Sequence, residues 1–137
     1  MQKILFAALL CLSVSLSSQA QTALTPKELR SCPQAAGMRD SVMEAEMVRL
    51  FKIARPSVTP LGARITSTDW NIFRDEMSGV IIRRGLWAAM PYSLKPGKCE
   101  YQMWLFTQEY DGEKYQTTLR ALKPNGLYVM ACGCMQQ

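Results

Sequence analysis

The chain has 137 residues, 48% hydrophobic and 20% charged, with 16 basic against 11 acidic side chains and a formal net charge of +5. It contains no histidine, which excludes Ser-His and Cys-His nucleophile pairs, histidine-bound zinc and the side chain that most often moves protons near neutral pH. The basic residues are scattered, so their excess favours acidic partners through long-range attraction without forming a nucleic-acid footprint.

Residues 1–20 read as an export signal. Lys3 supplies a positive start, Ile4 to Leu12 an apolar run too short to span a bilayer, and Ser18-Gln19-Ala20 a small-x-small cleavage site. Cleavage near Ala20 leaves residues 21–137 as a single domain, periplasmic or secreted, with no transmembrane segment. Disulfides persist in such a compartment. Thr25-Pro26-Lys27-Glu28 is a capping sequence that predicts a short helix from Pro26 to about Ser31, ended by Pro33. A longer helix starts near Asp40 or Ser41 and stops before Pro56, with Met43, Met47, Leu50, Phe51 and Ala54 as its apolar stripe. Its methionines read as adaptable core filling. Ser57 to Gly62 is a loop. Arg64 to Phe73 is a strand, or a strand running into a helical turn at Ser67-Thr68-Asp69-Trp70, with Trp70 as a buried anchor.

Four extended runs follow: Gly79 to Leu94, Lys98 to Tyr110, Glu113 to Leu122, and a last one ending at Cys134. Pro96-Gly97, Asp111-Gly112 and Asn125-Gly126 separate them as three successive hairpin turns of an antiparallel meander. Gly85 predicts a bulge or bend that curls the sheet around the helix. Counting outward from two-residue turns pairs Trp87 with Phe106, Trp104 with Leu119 and Leu119 with Cys132, and sets Ala121 opposite Met130. One apolar side, including Ile81, Ala89, Tyr115, Tyr128 and Cys134, then faces the long helix. The opposite side is mixed and includes Ile82 and Tyr92. On it Arg84, Tyr101, Met103 and Arg120 form a candidate docking surface, unless the Ser57–Gly62 loop or the Arg64–Phe73 segment covers it.

The predicted fold class is α+β: one short and one long N-terminal helix packed on a curved antiparallel meander of four to five strands. In outline that order resembles cystatin-like and NTF2-like architectures. The resemblance is one of topology over most of residues 21–137, rests on no shared motif and implies no activity.

Cys32, Cys99, Cys132 and Cys134 remain after processing, and an even number in an exported domain points to disulfides. The register above sets Cys99 more than about 20 Å from Cys132 and Cys134, far beyond bonding reach. Either that register fails or not all four are paired; the preferred bond joins Cys32 to Cys134 or Cys132. Met130-Ala131-Cys132-Gly133-Cys134-Met135 also gathers soft sulfur donors suited to Cu(I), with Met130, Cys132 and Cys134 as candidate ligands, or to thiol exchange. Glu109, Asp111 and Glu113 belong to a hairpin tip, and no glycine pattern makes a phosphate loop.

The sequence therefore points to no catalytic residue and no cofactor. It is read as a non-enzymatic exported binding module for a protein partner in the envelope or outside the cell: an inhibitor, an immunity factor or an envelope-assembly component. Copper binding or thiol redox work by Cys132-Gly133-Cys134 is the alternative. Small-molecule binding in a pocket between helix and sheet is the third reading.

Overall fold

The structure is a computed structural model and describes residues 32–33, 38–122 and 124–136. These residues contain one α-helix, α1 (Ser41–Ala54), seated on a curled antiparallel sheet with the shape of a half-barrel. The expected pair of N-terminal helices is not borne out. Its shorter member, from Pro26 to about Ser31, lies outside the described residues, as does the signal over residues 1–20.

Helix α1 begins where the Asp40 carboxylate accepts the Met43 backbone N–H at 2.9 Å, satisfying one of the free donors of the first turn. Its inner face buries Met47 and Phe51 completely, with Met43 and Leu50 half-buried beside them. Ala54, the last residue of the expected stripe, is exposed. The helix end is closed by the Lys52 ammonium, which donates to the Pro56 and Val58 carbonyls at 3.0 and 2.6 Å.

Seven strands form four rows. β4 (Ile81–Lys95) and β5 (Lys98–Glu109) are the two long central strands and pair with each other. β1 (Thr59–Pro60), β2 (Arg64–Ile65) and β3 (Asn71–Arg74) follow one another along the outer edge of β4. β6 (Arg120–Ala121) and β7 (Asn125–Met130) do the same along β5. Arg64 to Phe73 is thus two strands joined by a loop, without the helical turn.

All three sequence-derived registers fail, two of them through a bulge. In the β4–β5 hairpin Lys95 faces Lys98, as a two-residue turn requires, but Ser93 faces Cys99, which makes Leu94 an extra residue. A one-residue slip turns every β4 side chain to the other face. Leu86, not Trp87, therefore lies opposite Phe106, and Ala88, not Ala89, lies opposite Trp104. Tyr92, expected on the far side, joins Leu86, Ala88 and Met90 in the core beneath α1. The β5 side chains keep their expected direction: Phe106 is fully buried, and Trp104 meets Phe51 edge to face at 5.5 Å.

The second failure is at Asn125-Gly126, which does not reverse the chain. Gly126 takes a positive φ of 75°, where a side chain would be strained and its Cβ would meet the Tyr128 ring at 2.8 Å. It sits beside a register shift in the β5–β7 ladder, with Tyr101 facing Tyr128 and Cys99 facing Met130. A reversal here would have left that half of β5 without backbone partners; the bulge lets the chain run straight on and pair it. Tyr128 and Cys134 consequently lie on the far side of the sheet rather than under the helix.

At the Asp111 turn the carboxylate accepts the backbone N–H groups of Glu113 and Lys114 at 3.0 and 2.9 Å, which holds a loop wider than two residues. Thr107 then faces Arg120 and Phe106 faces Ala121. The offset from the expected pairing is an even number of residues, so Leu119 and Ala121 keep the helix side, and Leu119 is buried there.

The end-to-end run of β6 and β7 brings Cys132 to Cys99. Both form a disulfide, and a second joins Cys32 to Cys134. The C-terminal 3-10 turn (Cys132–Gln136) caps a smaller core of Ala89, Cys99, Tyr101 and Met130 on the far side.

Gly85 stands in regular pairing with Asn71 and Thr107, so it marks no bulge. Its role is close approach: a Cβ there would meet the Leu105, Phe73 and Thr107 side chains at 2.9, 3.0 and 3.2 Å. Gly85→Ala is expected to cost about 1–3 kcal/mol by overpacking. Denaturant unfolding measures it, and an alanine that leaves stability unchanged or raised would show that Phe73 does not pack there.

Candidate functional site

The side-chain arrangement with the most binding potential lies on the helix side, at the end of the sheet remote from the disulfides, and the β4 bulge creates it. Turning β4 over carries Arg84 to this side, opposite Gln108. Between Ile65, which faces Ala88, and Asn71, which faces Gly85, the outer row loops out. That loop is pinned by the Thr66 and Ser67 backbone N–H groups donating to the Trp87 carbonyl, and by the Trp87 N–H donating to the Ser67 hydroxyl at 2.9 Å. It ends at Trp70, whose ring lies 4.0 Å from the Arg84 guanidinium carbon.

Tyr115 covers the same guanidinium at 4.3 Å. It is held by its bridge to Tyr110, whose ring lies 5.0 Å away. Arg84 Nε donates to Gln108 Oε1 at 2.9 Å, and the Gln108 amide donates to the Thr117 carbonyl at 3.2 Å. Gln108 is only 6% exposed, so this buried amide fixes the edge of the cation while two rings hold it in place. Arg84 Nη1 and Nη2 have no hydrogen-bond partner, and no carboxylate lies within ion-pair distance of Arg84, among the described residues.

Gln108 is shared with a groove of about 670 Å³ between α1 and residues 117–119. Val42, Met43 and Ala45 line its helix wall, and Thr117 and Leu119 line the sheet wall. Val42 is 80% exposed although apolar. The charged side chains of the groove are already engaged: Asp40 caps α1, and Glu46 pairs with Arg49 at 2.7 Å.

A second polar group closes the opposite end of the helix-side core. The Tyr92 hydroxyl donates to Glu100 Oε2 at 2.9 Å, and Gln102 Oε1 accepts from Arg55 at 2.9 Å and from the Trp104 indole at 3.4 Å. Burial, and then the Glu100 carboxylate, push the Tyr92 hydroxyl up to about 12. Its folded pKa is raised, so its contribution to stability is complete below the ordinary tyrosine value of 10.0 and is lost as pH rises toward about 12. Thermal melts across that alkaline window are expected to fall more steeply for the wild type than for Tyr92→Phe; parallel curves would contradict the buried pairing.

The four residues expected to share a docking surface are divided. Arg84 is half-buried on the helix side. Tyr101 is 7% exposed and stacked on Tyr128 at 4.8 Å on the far side. Met103 is half-buried in the floor of a separate far-side cleft of about 280 Å³, and Arg120 is exposed on that same side. Met130 is buried in the far-side core, and the sulfurs of Cys132 and Cys134 are each committed to a disulfide. Trp70, Gln108 and Tyr115, which build the stack around Arg84, were outside the sequence-derived set; only the correct β4–β5 register would have revealed them.

Among the described residues no helix is long and apolar enough to cross a membrane. No protein-family description, curated protein or solved structure matches the chain.

Proposed function

We propose that this protein is an exported, non-enzymatic binding module that docks another protein as an inhibitor, an immunity factor or an envelope-assembly component. The observation that carries the proposal is the Trp70–Arg84–Tyr115 stack, held in place beside an apolar groove. Trp, Tyr and Arg are the residues in which interface binding energy concentrates. A side chain already ordered in the free protein loses little entropy on binding. The helix-on-curled-sheet outline, cystatin-like or NTF2-like in order, supplies a rigid platform, and two disulfides suit a protein that works outside the cytoplasm. Copper or thiol chemistry at Cys132 and Cys134 would first require a disulfide to open.

The groove also has a volume within the range of small-ligand pockets, which keeps small-molecule binding as the second reading. Photo-crosslinking separates the two. A photoreactive amino acid at Val42 or Thr117 is expected to give a discrete protein adduct in a cell-envelope extract. The same group at Met77, 98% exposed at the tip of the β3–β4 hairpin and outside the groove lining, is expected to give none. Equal labelling at all three positions, or no protein adduct at the groove, would overturn the proposal.

A further inference from the structure

We infer that Arg84 is a carboxylate-binding site, and that the segment docked by the protein is an acidic peptide stretch that places an Asp or Glu side chain on Nη1 and Nη2 and an adjacent apolar residue in the α1 groove. This rests on the protein-binding reading above and specifies the chemistry of the partner.

The geometry of the cation carries the assignment. A guanidinium presents five N–H donors in a planar fork that matches a carboxylate in bidentate fashion. Here Nε is used by Gln108, while Trp70 and Tyr115 cover the guanidinium at 4.0 and 4.3 Å. The edge carrying Nη1 and Nη2 is the part of the fork left without an internal partner among the described residues. Partial desolvation of a charge without a counter-ion is unfavourable, so a half-buried arginine gains from an acidic partner. Arg84 instead donates one hydrogen bond to the neutral Gln108 amide and makes two ring contacts, which hold it in place without neutralising it.

The surroundings select against the other ligands of an arginine. Phosphate groups of nucleic acid or lipid recruit several cations together. The groove beside Arg84, however, has Arg49 as its lining cation, and that is already paired with Glu46. One uncompensated cation beside an apolar wall of Val42, Met43, Ala45 and Leu119 fits one carboxylate with an apolar neighbour. The positive net charge, +5 for the full chain and one less once Lys3 leaves with residues 1–20, attracts such a segment at long range.

The test uses the oxidised protein and a random dodecapeptide library displayed on phage. Selected peptides are expected to carry Asp or Glu beside an apolar residue. Changing that acid to its amide in a synthetic copy should weaken binding about 10- to 100-fold, the range for hydrogen bonds to charged groups. Arg84→Gln in the protein should produce the same loss, and combining the two changes should add little more. The peptide substitution leaves the protein untouched, so the test survives even if Arg84→Gln disturbs the stack. Neutral or basic selected peptides, no selected peptides, indifference to the acid-to-amide change, or competition by inorganic phosphate or oligothymidylate instead would each overturn the inference. A protein adduct at Val42 that forms as readily with Arg84→Gln would defeat the carboxylate site and leave the protein-binding reading intact. Absence of that adduct with the wild type would defeat the reading itself.

Discussion

Phe51→Ala is expected to lower the free energy of unfolding by about 3–5 kcal/mol, a large share of the total stability of a domain this size. Phe51 is fully buried and is the side chain through which α1 grips the sheet. Its ring meets Trp104 at 5.5 Å on β5 and Tyr92 at 5.6 Å on β4, so truncation empties a volume walled by both long strands. The loss combines the hydrophobic transfer energy of the ring with a cavity that rigid sheet residues fill poorly. Phe51→Leu keeps much of the volume and is expected to cost clearly less. Denaturant unfolding of the oxidised proteins measures both. A loss below about 1 kcal/mol for the alanine variant would mean that the helix does not seal the core.

Removal of the disulfides is the second large effect. Cys32–Cys134 closes a loop with a sequence separation of 102, and Cys99–Cys132 one of 33. Constraint of the unfolded chain alone predicts losses of about 3–5 kcal/mol for loops of such lengths, with the longer loop costing more. The native state should respond locally as well. Both bonds anchor the C-terminal 3-10 turn, which seals Tyr101 and Met130 on the far side. Cys99→Ala/Cys132→Ala is therefore expected to loosen the Tyr101–Tyr128 stack while leaving the Phe51–Trp104 contact in place. Unfolding midpoints together with near-ultraviolet circular dichroism distinguish the two layers. If neither alanine pair lowered the midpoint, the bonds would not be constraining this fold.

Much of the layer arrangement was legible in the residues. The Met43–Phe51 stripe, the length of the two central strands and the inward direction of Trp104 and Phe106 follow from helical and strand periodicity, and these are local properties. The errors came from counting across turns. Lys95-Pro96-Gly97-Lys98 does form a tight turn, yet one unpaired residue, Leu94, follows the last matched pair and reverses the face of all β4 beyond it. Nothing in the Leu94 side chain announces that; the bulge is favoured because it turns Leu86, Ala88 and Met90 toward the helix together with Trp104 and Phe106.

Asn125-Gly126 misled for a different reason. The dipeptide signals a positive φ, and Gly126 has one, but a bulge uses that conformation as readily as a hairpin does. Which of the two forms depends on what β5 still lacks, a long-range property. The conflict over cysteine distances was the one trace of this error visible in the sequence, since pairing β7 with β5 is what brings Cys132 beside Cys99. The candidate site inherits the same logic. Arg84 was singled out from the sequence, whereas Trp70, Gln108 and Tyr115 become its neighbours only after the slip at Leu94.

The register of β4 against β5 is thus the premise on which the arginine stack, the groove beside it and the partner chemistry all stand. Interstrand α-proton cross-peaks in a nuclear Overhauser spectrum of the oxidised protein read it directly. Peaks joining Leu86 with Phe106, Ala88 with Trp104 or Trp87 with Leu105 are the expected result. Peaks joining Trp87 with Phe106 and Ala89 with Trp104 would return Arg84 to the far side of the sheet and contradict the account.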